Sequence, residues 1–205
     1  VLNFNITALM FEGSSEDLIK TSVTQPAIFI HSVIHSLISK RFKPKAVAGH
    51  SLGEFSALSA SKAISFEDGL KLVSIRANAM QTACERNPGS MAAILGIEDS
   101  IIENVCSKIE KIIQPANYNC PGQLVISGDS NPINSACVEL TNLGAKRAII
   151  LPVSGAFHSE LMSSAAEELE HSINQTYFND PVCPIYQNYN AKPETNKDSI
   201  KRNNL

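Results

Sequence analysis

One short segment, residues 49–53, reads Gly-His-Ser-Leu-Gly and fits the pattern G-x-S-x-G. In this pattern a strand turns abruptly into a helix and presents the central serine, here Ser51, at the apex of the turn. Both glycines are expected to avoid Cβ atoms that would clash within the turn. The backbone N–H of Leu52, at the start of the helix, should face an oxyanion formed beside the serine. Ser51 is therefore the candidate nucleophile for attack on an acyl group.

A serine hydroxyl is a weak nucleophile without a neighbouring base, and histidine is the usual base. His158 lies in a loop of small residues, 154–159, between a predicted strand and a predicted helix. Such loops at the edge of a sheet often carry the catalytic groups of α/β proteins. Spacing alone leaves open whether His158 is a base or a loop residue without a role. His50 should point away from the nucleophile because it adjoins Ser51 on a sharp turn.

The other histidines and the cysteines do not predict a metal site. His31 and His35 are four residues apart on one predicted helix, but Ser32 occupies the position that is Glu in H-E-x-x-H, and no third ligand is evident. We interpret both as surface or packing residues and His171 as a solvated helix residue. The five cysteines are scattered without C-x-x-C spacing, which predicts free thiols in a reducing cytoplasm.

The elements around the candidate nucleophile alternate between strand and helix. Residues 46–48 form a short apolar run, predicted as a buried strand, and a helix is predicted from 54 to 60. An earlier helix is predicted to begin at residues 24–26, Thr-Gln-Pro, with Pro26 near its first position. A further helix is predicted from 66 to 80 by its apolar stripe. This pattern predicts an α/β domain.

The pattern changes after a turn at residues 87–89, Asn-Pro-Gly. The elements that follow have the order strand, helix, strand, strand, helix, strand, which is the ferredoxin-like order. We therefore predict a ferredoxin-like subdomain at 89–152, inserted into an α/β domain formed by 1–88 and 153–205. Within the latter, the polar segment 191–205 is predicted to contribute no core element.

Bulk composition disfavours several classes of protein. The chain has 205 residues, of which 43% are hydrophobic and 18% charged, as is typical of globular proteins. The net charge of -3 and the lack of a basic stripe disfavour a nucleic-acid partner. The sequence contains no run of 18 apolar residues, so it predicts no membrane span. The first residues lack the features of a signal peptide.

Several motifs extend the pattern of the nucleophile turn, which continues to residue 55 as GHSLGEF. In chain order the others are TQPA at 24–27, RANAMQ at 76–81, GSMAAI at 89–94, ANYNCPGQ at 116–123, GAFHS at 155–159 and NAKPE at 190–194. Together they resemble the malonyl-CoA:acyl carrier protein transacylases and the acyltransferase domains of polyketide synthases, over nearly the whole chain. The resemblance implies an α/β-hydrolase-like parallel-sheet domain with an inserted ferredoxin-like α+β subdomain, in agreement with the pattern of elements.

The resemblance also implies roles for individual residues. Ser51 would accept a malonyl group from malonyl-CoA and pass it to the phosphopantetheine thiol of an acyl carrier protein, with His158 as base and then acid. Leu52 would give one oxyanion-hole N–H. Arg76 would bind the malonyl carboxylate through its planar guanidinium, although its residue type alone favours a surface arginine. Phe157 would leave little room for a branched α-carbon.

Further candidates for the substrate site are Met80 and Asn117, which belong to two of these motifs. For Asn117, and for Asn119 nearby, a role in forming a turn stays open. The resemblance implies that no metal or redox cofactor is needed. It implies malonyl-CoA and acyl carrier protein as partners, no nucleic-acid or membrane partner, and a place in cytoplasmic fatty acid biosynthesis.

Two parts of the family pattern have no counterpart here. One is a first strand with a loop whose glutamine N–H is the second oxyanion donor, and the other is a later glutamine whose carbonyl orients the histidine. We therefore expect an incomplete chain, truncated at both ends and slower by itself than a full-length relative. A serine hydrolase or thioesterase, and an inactive fragment, are the alternative functions; Arg76 disfavours a hydrolase of neutral esters.

Overall fold

A computed structural model of the chain describes residues 1–153 and 155–204; Ser154, part of the predicted histidine loop, and Leu205 lie outside the described residues. The chain forms two compact units. The first consists of residues 1–81 and the chain from residue 166 onward, and the second of residues 82–165. The narrower boundaries expected for an inserted subdomain, 89 and 152, stay a prediction.

The secondary structure alternates between helices and short strands. The helices are α1 (Ile6–Glu12), α2 (Ser15–Ile19), α3 (Thr21–Ile38), α4 (Leu52–Ala60), α5 (Phe66–Arg86), α6 (Asp99–Lys108), α7 (Ser130–Asn142), α8 (Ser163–Gln175) and α9 (Lys197–Asn203). The strands are β1 (Val47–Ala48), β2 (Ser90–Leu95), β3 (Ile113–Cys120), β4 (Gln123–Gly128), β5 (Arg147–Ile150), β6 (Ile185–Tyr186) and β7 (Pro193–Glu194). A 3₁₀ turn, Glu160–Met162, precedes α8.

The sheet of the first unit has the order β1-β6-β7, with β1 parallel to β6 and β7 antiparallel to β6. The prediction of a buried strand before the nucleophile turn is only partly right, because Val47 is half-buried and Ala48 is exposed. Among the described residues β1 pairs with β6 alone, so one of its edges lacks a neighbouring strand. The helices cover the apolar core of this unit, whose fully buried members include Phe29, Leu58, Ile64, Leu72, Ile173, Ile185 and Ile200.

Helix α3 begins earlier than the Thr-Gln-Pro sequence predicts. Its first residue is Thr21, and Pro26 lies inside it. The first turn is already closed before the proline, because the Lys20 carbonyl accepts hydrogen bonds of 2.8 Å from the N–H groups of Val23 and Thr24. Proline is therefore tolerated one turn into this helix at the loss of one backbone hydrogen bond.

The polar segment after residue 190 does contribute to the core, contrary to the prediction. Asn196 caps α9, since its side chain accepts hydrogen bonds from the N–H groups of Asp198 and Ser199. The helix then places Ile200, which is fully buried, in the core of the first unit. A single apolar residue among polar ones has no periodicity, so the pattern could not indicate this helix.

The second unit is a four-stranded antiparallel sheet of order β3-β4-β2-β5, on which α6 and α7 pack. In chain order its strands are therefore arranged 2-3-1-4, which is the ferredoxin-like arrangement and confirms that prediction. Its core consists mainly of aliphatic side chains, with Ile94, Leu124, Ile126, Ile133 and Leu140 fully buried.

Two further findings concern the described parts of the chain as a whole. None of the helices there combines the length and the apolar character needed to cross a membrane. All five cysteines are free thiols, as predicted.

Candidate active site

Ser51 lies at the sharp turn between β1 and α4, as the G-x-S-x-G pattern predicts. Its backbone dihedrals are φ 52° and ψ -109°, a conformation that residues with a side chain rarely adopt. Two hydrogen bonds close the turn: Gly53 N–H donates to the His50 carbonyl at 2.9 Å, and Glu54 N–H donates to the Ser51 carbonyl at 3.1 Å. Strain of this kind costs about 1–3 kcal/mol and persists only where the surrounding structure enforces it.

The two glycines of the turn are not equivalent. A Cβ atom on Gly49 would lie 1.9 Å from the Gly53 carbonyl oxygen, so this glycine is required by close approach of the backbone. A Cβ on Gly53 would meet no atom within 4 Å. The expectation that both glycines avoid a clash is therefore right for Gly49 and wrong for Gly53, whose Cβ direction on α4 is open.

This difference gives a matched pair of variants. We expect Gly49→Ala to lower the free energy of unfolding by about 1–3 kcal/mol, because the clash is with backbone atoms that cannot move independently. Gly53→Ala should leave stability unchanged or raise it by up to about 1 kcal/mol, since alanine favours helix. Urea denaturation of both variants measures the effect, and equal losses of stability would contradict the assignment.

The backbone N–H of Leu52 is the first of α4. Within residues 1–153 and 155–204, no atom accepts a hydrogen bond from it. The Leu52 side chain is half-buried against the core of the first unit. An N–H at a helix N-terminus carries partial positive charge, so it can stabilise an oxyanion at Ser51.

Arg76, on α5, is buried, with 9% of its surface exposed, and is not the surface arginine that its residue type alone suggested. Its Nη2 donates a hydrogen bond to Ser51 Oγ at 2.9 Å, and its Nη1 donates to Gln25 Oε1 at 2.6 Å. Helices α3 and α5 thus place a guanidinium directly beside the candidate nucleophile.

The charge of Arg76 is not neutralised within the described residues, where no carboxylate forms an ion pair with it. Burial lowers the pKa of its guanidinium to about 10, so the group stays protonated at neutral pH. An uncompensated buried charge is strongly destabilising. The site is therefore suited to a ligand that brings an anionic group to Ser51.

Gln25, on α3, was not singled out as a site residue by the sequence. It is 8% exposed, and its amide accepts from Arg76 while its Nε2 points at the sulfur of Met80 at 3.3 Å. Met80 is itself buried, one turn beyond Arg76 on α5. The first unit therefore brings together four residues in one contact network, and Gln25 fixes the guanidinium of Arg76 in place.

The other predicted site residues belong to the second unit. His158 is exposed and has φ 59°, and its carbonyl accepts a hydrogen bond from Gln114 Nε2 at 3.4 Å. Phe157 is half-buried and packs with the cluster around Met91. Asn117 lies in β3 beside an irregularity in its pairing with β4, so it is a strand residue and not a turn residue. Asn119 is also in β3. The pairing of His158 with Ser51 stays a prediction.

The remaining histidines have no contact that indicates a site. His31 and His35 are both exposed, with ring centroids 6.3 Å apart, and His50 and His171 are exposed as well. In the described parts of the chain, no three or more His, Cys, Asp or Glu side chains are grouped as metal ligands.

A second group of residues near Ser51 was also missed by sequence reasoning. The side chain of Asn188 accepts a hydrogen bond from Ser51 N–H at 2.9 Å, and Glu54 is 6% exposed beside it. Glu54 lies within the GHSLGEF motif, so the sequence could have indicated Glu54 as a site residue. Asn188 lies in a part of the chain without a motif.

Comparison with known proteins places the chain in a family. Residues 1–204 match the family described as "Acyl transferase domain". The chain is 42% identical over 205 residues of alignment, gaps included, to the malonyl CoA-acyl carrier protein transacylase of Staphylococcus aureus strain COL, and this alignment covers 98% of this chain and 67% of that protein. The chain thus spans about two thirds of the length of this relative.

Solved structures give the same result. A type II polyketide-synthase acyl carrier protein in complex with its malonyl-transacylase matches with a TM-score of 0.92 at 34% identity, covering 98% of this chain and 67% of that one. An acyl carrier protein S-malonyltransferase from Vibrio cholerae matches with a TM-score of 0.91 at 38% identity, with the same coverage. The α/β fold, with a mixed sheet in the first unit and an antiparallel sheet in the second, is that of these transacylases.

Proposed function

This chain belongs to the acyl transferase domain family, and we propose that it transfers a malonyl group from malonyl-CoA to the phosphopantetheine thiol of an acyl carrier protein, as in fatty acid biosynthesis. Relatives named for this reaction are similar over 98% of the chain. The complex of a related malonyl-transacylase with an acyl carrier protein supports the choice of partner.

The observation that carries the proposal is the position of Arg76. Its Nη2 is 2.9 Å from Ser51 Oγ, and no described carboxylate neutralises it. In a malonyl-serine ester, the free carboxylate is two bonds beyond the carbonyl carbon attached to Oγ, which brings it within reach of the guanidinium. A planar guanidinium binds a carboxylate through two parallel hydrogen bonds, and an acetyl group has no such anion.

The reaction has two halves. In the first, Ser51 Oγ attacks the thioester carbonyl of malonyl-CoA while His158 accepts the hydroxyl proton, and Leu52 N–H stabilises the oxyanion. The carbon–sulfur bond then breaks, and the CoA sulfur takes the proton from His158. In the second half, His158 accepts the proton of the phosphopantetheine thiol, the sulfur attacks the malonyl-serine ester, and the Ser51 oxygen leaves with that proton.

The other predicted residues contribute to substrate binding in this proposal. Met80 and Asn117 line the substrate site, and Phe157 restricts substituents on the α-carbon of the acyl group. The chemistry above is complete with side-chain and backbone groups, so we propose no metal or redox cofactor. We place the reaction in the cytoplasm, where reducing conditions keep the five cysteines as thiols.

Two alternatives make different predictions for the acyl-enzyme. A serine hydrolase or thioesterase releases the acyl group to water, and an inactive fragment forms no acyl-enzyme at all. Incubation with malonyl-CoA, followed by a carrier protein or by buffer alone, separates the three, because only a transacylase forms an adduct that requires the carrier thiol for rapid release.

Substitution of Arg76 tests the substrate. Removing one member of a buried, hydrogen-bonded charge pair costs about 2–5 kcal/mol, so in Arg76→Ala the ratio of malonyl to acetyl transfer to Ser51 should fall roughly 30- to 4,000-fold. The ratio, measured by intact mass after mixing with each CoA ester, cancels any general effect on Ser51. Arg86→Ala, an exposed arginine in the last turn of α5, is the matched control and should leave the ratio unchanged.

The same ratio should depend on pH in a defined way. Because the guanidinium has a pKa of about 10, it carries its charge at pH 7 to 9, and the malonyl preference should be constant over that range. Above about pH 9 the preference should begin to decline, because loss of the guanidinium proton then competes with binding of the malonyl carboxylate. For the Arg76→Ala variant described above, equal losses of malonyl and acetyl transfer at neutral pH would show that Arg76 is structural.

A further inference from the structure

The side chain of Asn188 joins both sides of the nucleophile turn. Its Oδ1 accepts a hydrogen bond from Ser51 N–H at 2.9 Å, and its Nδ2 donates to the Gly49 carbonyl at 2.7 Å. The same Nδ2 donates to the Glu54 carboxylate. One amide therefore contacts Gly49, the candidate nucleophile Ser51, and Glu54 near the start of α4.

The orientation of this amide is fixed by its partners. Ser51 N–H can only donate, whereas the Gly49 carbonyl and the Glu54 carboxylate can only accept. The opposite orientation would place an NH₂ group against an N–H and an oxygen against two acceptors. Both hydrogens of the NH₂ group and the carbonyl oxygen of Asn188 are thus used in one arrangement.

Glu54 binds both the backbone and the side chain of Asn188 through its carboxylate. Its buried carboxylate accepts from the backbone N–H of Asn188 at 2.8 Å and from Gln187 Nε2 at 3.2 Å. Gln187 is 1% exposed, and it donates in addition to the Ile200 carbonyl at 3.1 Å and accepts from Asn203 Nδ2 at 2.9 Å. The amide at the surface is therefore anchored to a buried polar network that includes α9.

We propose that Asn188 is a positioning residue for the nucleophile, which holds Ser51 in its strained backbone conformation and thereby orients Oγ for acylation. The proposal deepens the acyl transfer proposed above and rests on Ser51 being the nucleophile. A residue with φ 52° and ψ -109° needs an external constraint, and the hydrogen bonds at Ser51 N–H and the Gly49 carbonyl supply it on both sides of the strained residue.

The hydrogen bond between Ser51 N–H and Asn188 also determines which backbone N–H group of the turn can bind an oxyanion. Ser51 N–H is used by Asn188, whereas Leu52 N–H has no acceptor among the described residues. Asn188 therefore leaves only the second of these two adjacent N–H groups for an oxyanion. If Ser51 relaxed its backbone, both the Oγ and the Leu52 N–H would change direction together.

The test uses three variants and two acylating reagents. Asn188→Ala removes all side-chain hydrogen bonds, and Asn188→Asp keeps the shape but loses both donors when ionised. Asn190→Ala is the matched control, because Asn190 is also exposed and, among the described residues, its side chain forms one hydrogen bond, which it accepts from Lys192 N–H. Acylation of Ser51 is followed by intact mass with malonyl-CoA and, independently of malonyl recognition, with phenylmethylsulfonyl fluoride. Hydrogen exchange of the Ser51 amide is measured in parallel.

In Asn188→Ala we expect both reagents to react about 10- to 100-fold more slowly, the usual effect of misplacing a reacting group. The Ser51 amide should exchange at least about tenfold faster, while amides in the core of the second unit keep their protection. Asn190→Ala should match the unchanged protein in both measurements.

Asn188→Asp adds a readout that general destabilisation does not produce. The new carboxyl group lies beside the Glu54 carboxylate, and like charges raise the pKa of one of the two groups. When protonated, the aspartate has an O–H donor and an acceptor, so it can restore contacts on both sides of the turn. The rate of sulfonylation relative to the unchanged protein should therefore rise as the pH falls from 8 to 5.

Two outcomes overturn the proposal: unchanged sulfonylation in Asn188→Ala, or an Asn188→Asp rate ratio that does not depend on pH. Failure of the proposed function is seen separately. If the unchanged protein is sulfonylated at Ser51 but gains no malonyl group, the malonyl substrate is wrong, and the sulfonylation and exchange data still decide the role of Asn188.

Discussion

The Ser51→Ala variant should form no covalent malonyl adduct. The substitution removes the only atom of this residue that can form the ester, while it leaves the turn with a side chain of nearly the same size. Its structural effect should be small, because one hydrogen bond to Arg76 is lost, which amounts to about 1 kcal/mol. Intact-mass measurement after mixing with malonyl-CoA shows the result.

A second serine serves as the control for this experiment. Ser36 is half-buried like Ser51, but its hydroxyl donates to the Val33 carbonyl within α3. Ser36→Ala should therefore acquire the malonyl mass at the same rate as the unchanged protein. A malonyl adduct on Ser51→Ala would place the nucleophile elsewhere in the chain.

Replacing His158 should slow formation of the malonyl adduct by roughly 10²–10⁴, the usual contribution of a positioned general base. The backbone of His158 has φ 59°, so alanine at this position adds strain in addition to removing the base. Asparagine adopts positive φ several-fold more readily than most residues. We therefore expect His158→Asn and His158→Ala to be slow to a similar extent.

The control for this histidine is the one next to the nucleophile in sequence. His50 is exposed, and His50→Ala should leave the rate nearly unchanged. Single-turnover acylation with malonyl-CoA measures all three variants. A normal rate in His158→Asn would remove His158 from the mechanism, and a slow rate confined to His158→Ala would assign the effect to backbone strain.

The nucleophile turn could be predicted from the sequence because its determinants are adjacent. The apolar run before it, Gly49 and the following helix all lie within a few residues, and the close approach of backbone atoms at Gly49 requires glycine. The same pattern overstated the role of Gly53. A motif records which residue types occur together, but it does not tell in which direction each Cβ points.

The charge beside the nucleophile could not be predicted from spacing. Arg76 contacts Ser51 and Gln25, which are 25 and 51 residues away along the chain. An arginine on a helix gives no local signal of whether it points to solvent or to the core, so only the family resemblance indicated its importance. The structure adds the physical reason, which is burial without an ionic partner among the described residues.

The residues that constrain the turn were missed for the same reason. Asn188 lies in a segment without periodicity, two residues after β6, so its position beside the turn depends on the pairing of β6 with β1. Ile200, in the core, is likewise isolated among polar residues. Strands of two residues are too short to be recognised by alternation. In contrast, the strands of the second unit are longer and follow each other closely, so their order could be predicted.

The long separation between Ser51 and Asn188 has a consequence for synthesis of the protein on the ribosome. The two residues are 137 positions apart, so at about 5–20 residues per second the nucleophile emerges roughly 7–27 s before the amide that constrains it. During this interval the β1 edge also lacks β6, its partner among the described residues. The nascent chain therefore carries its serine without the constraint at Asn188 while the intervening residues are synthesised.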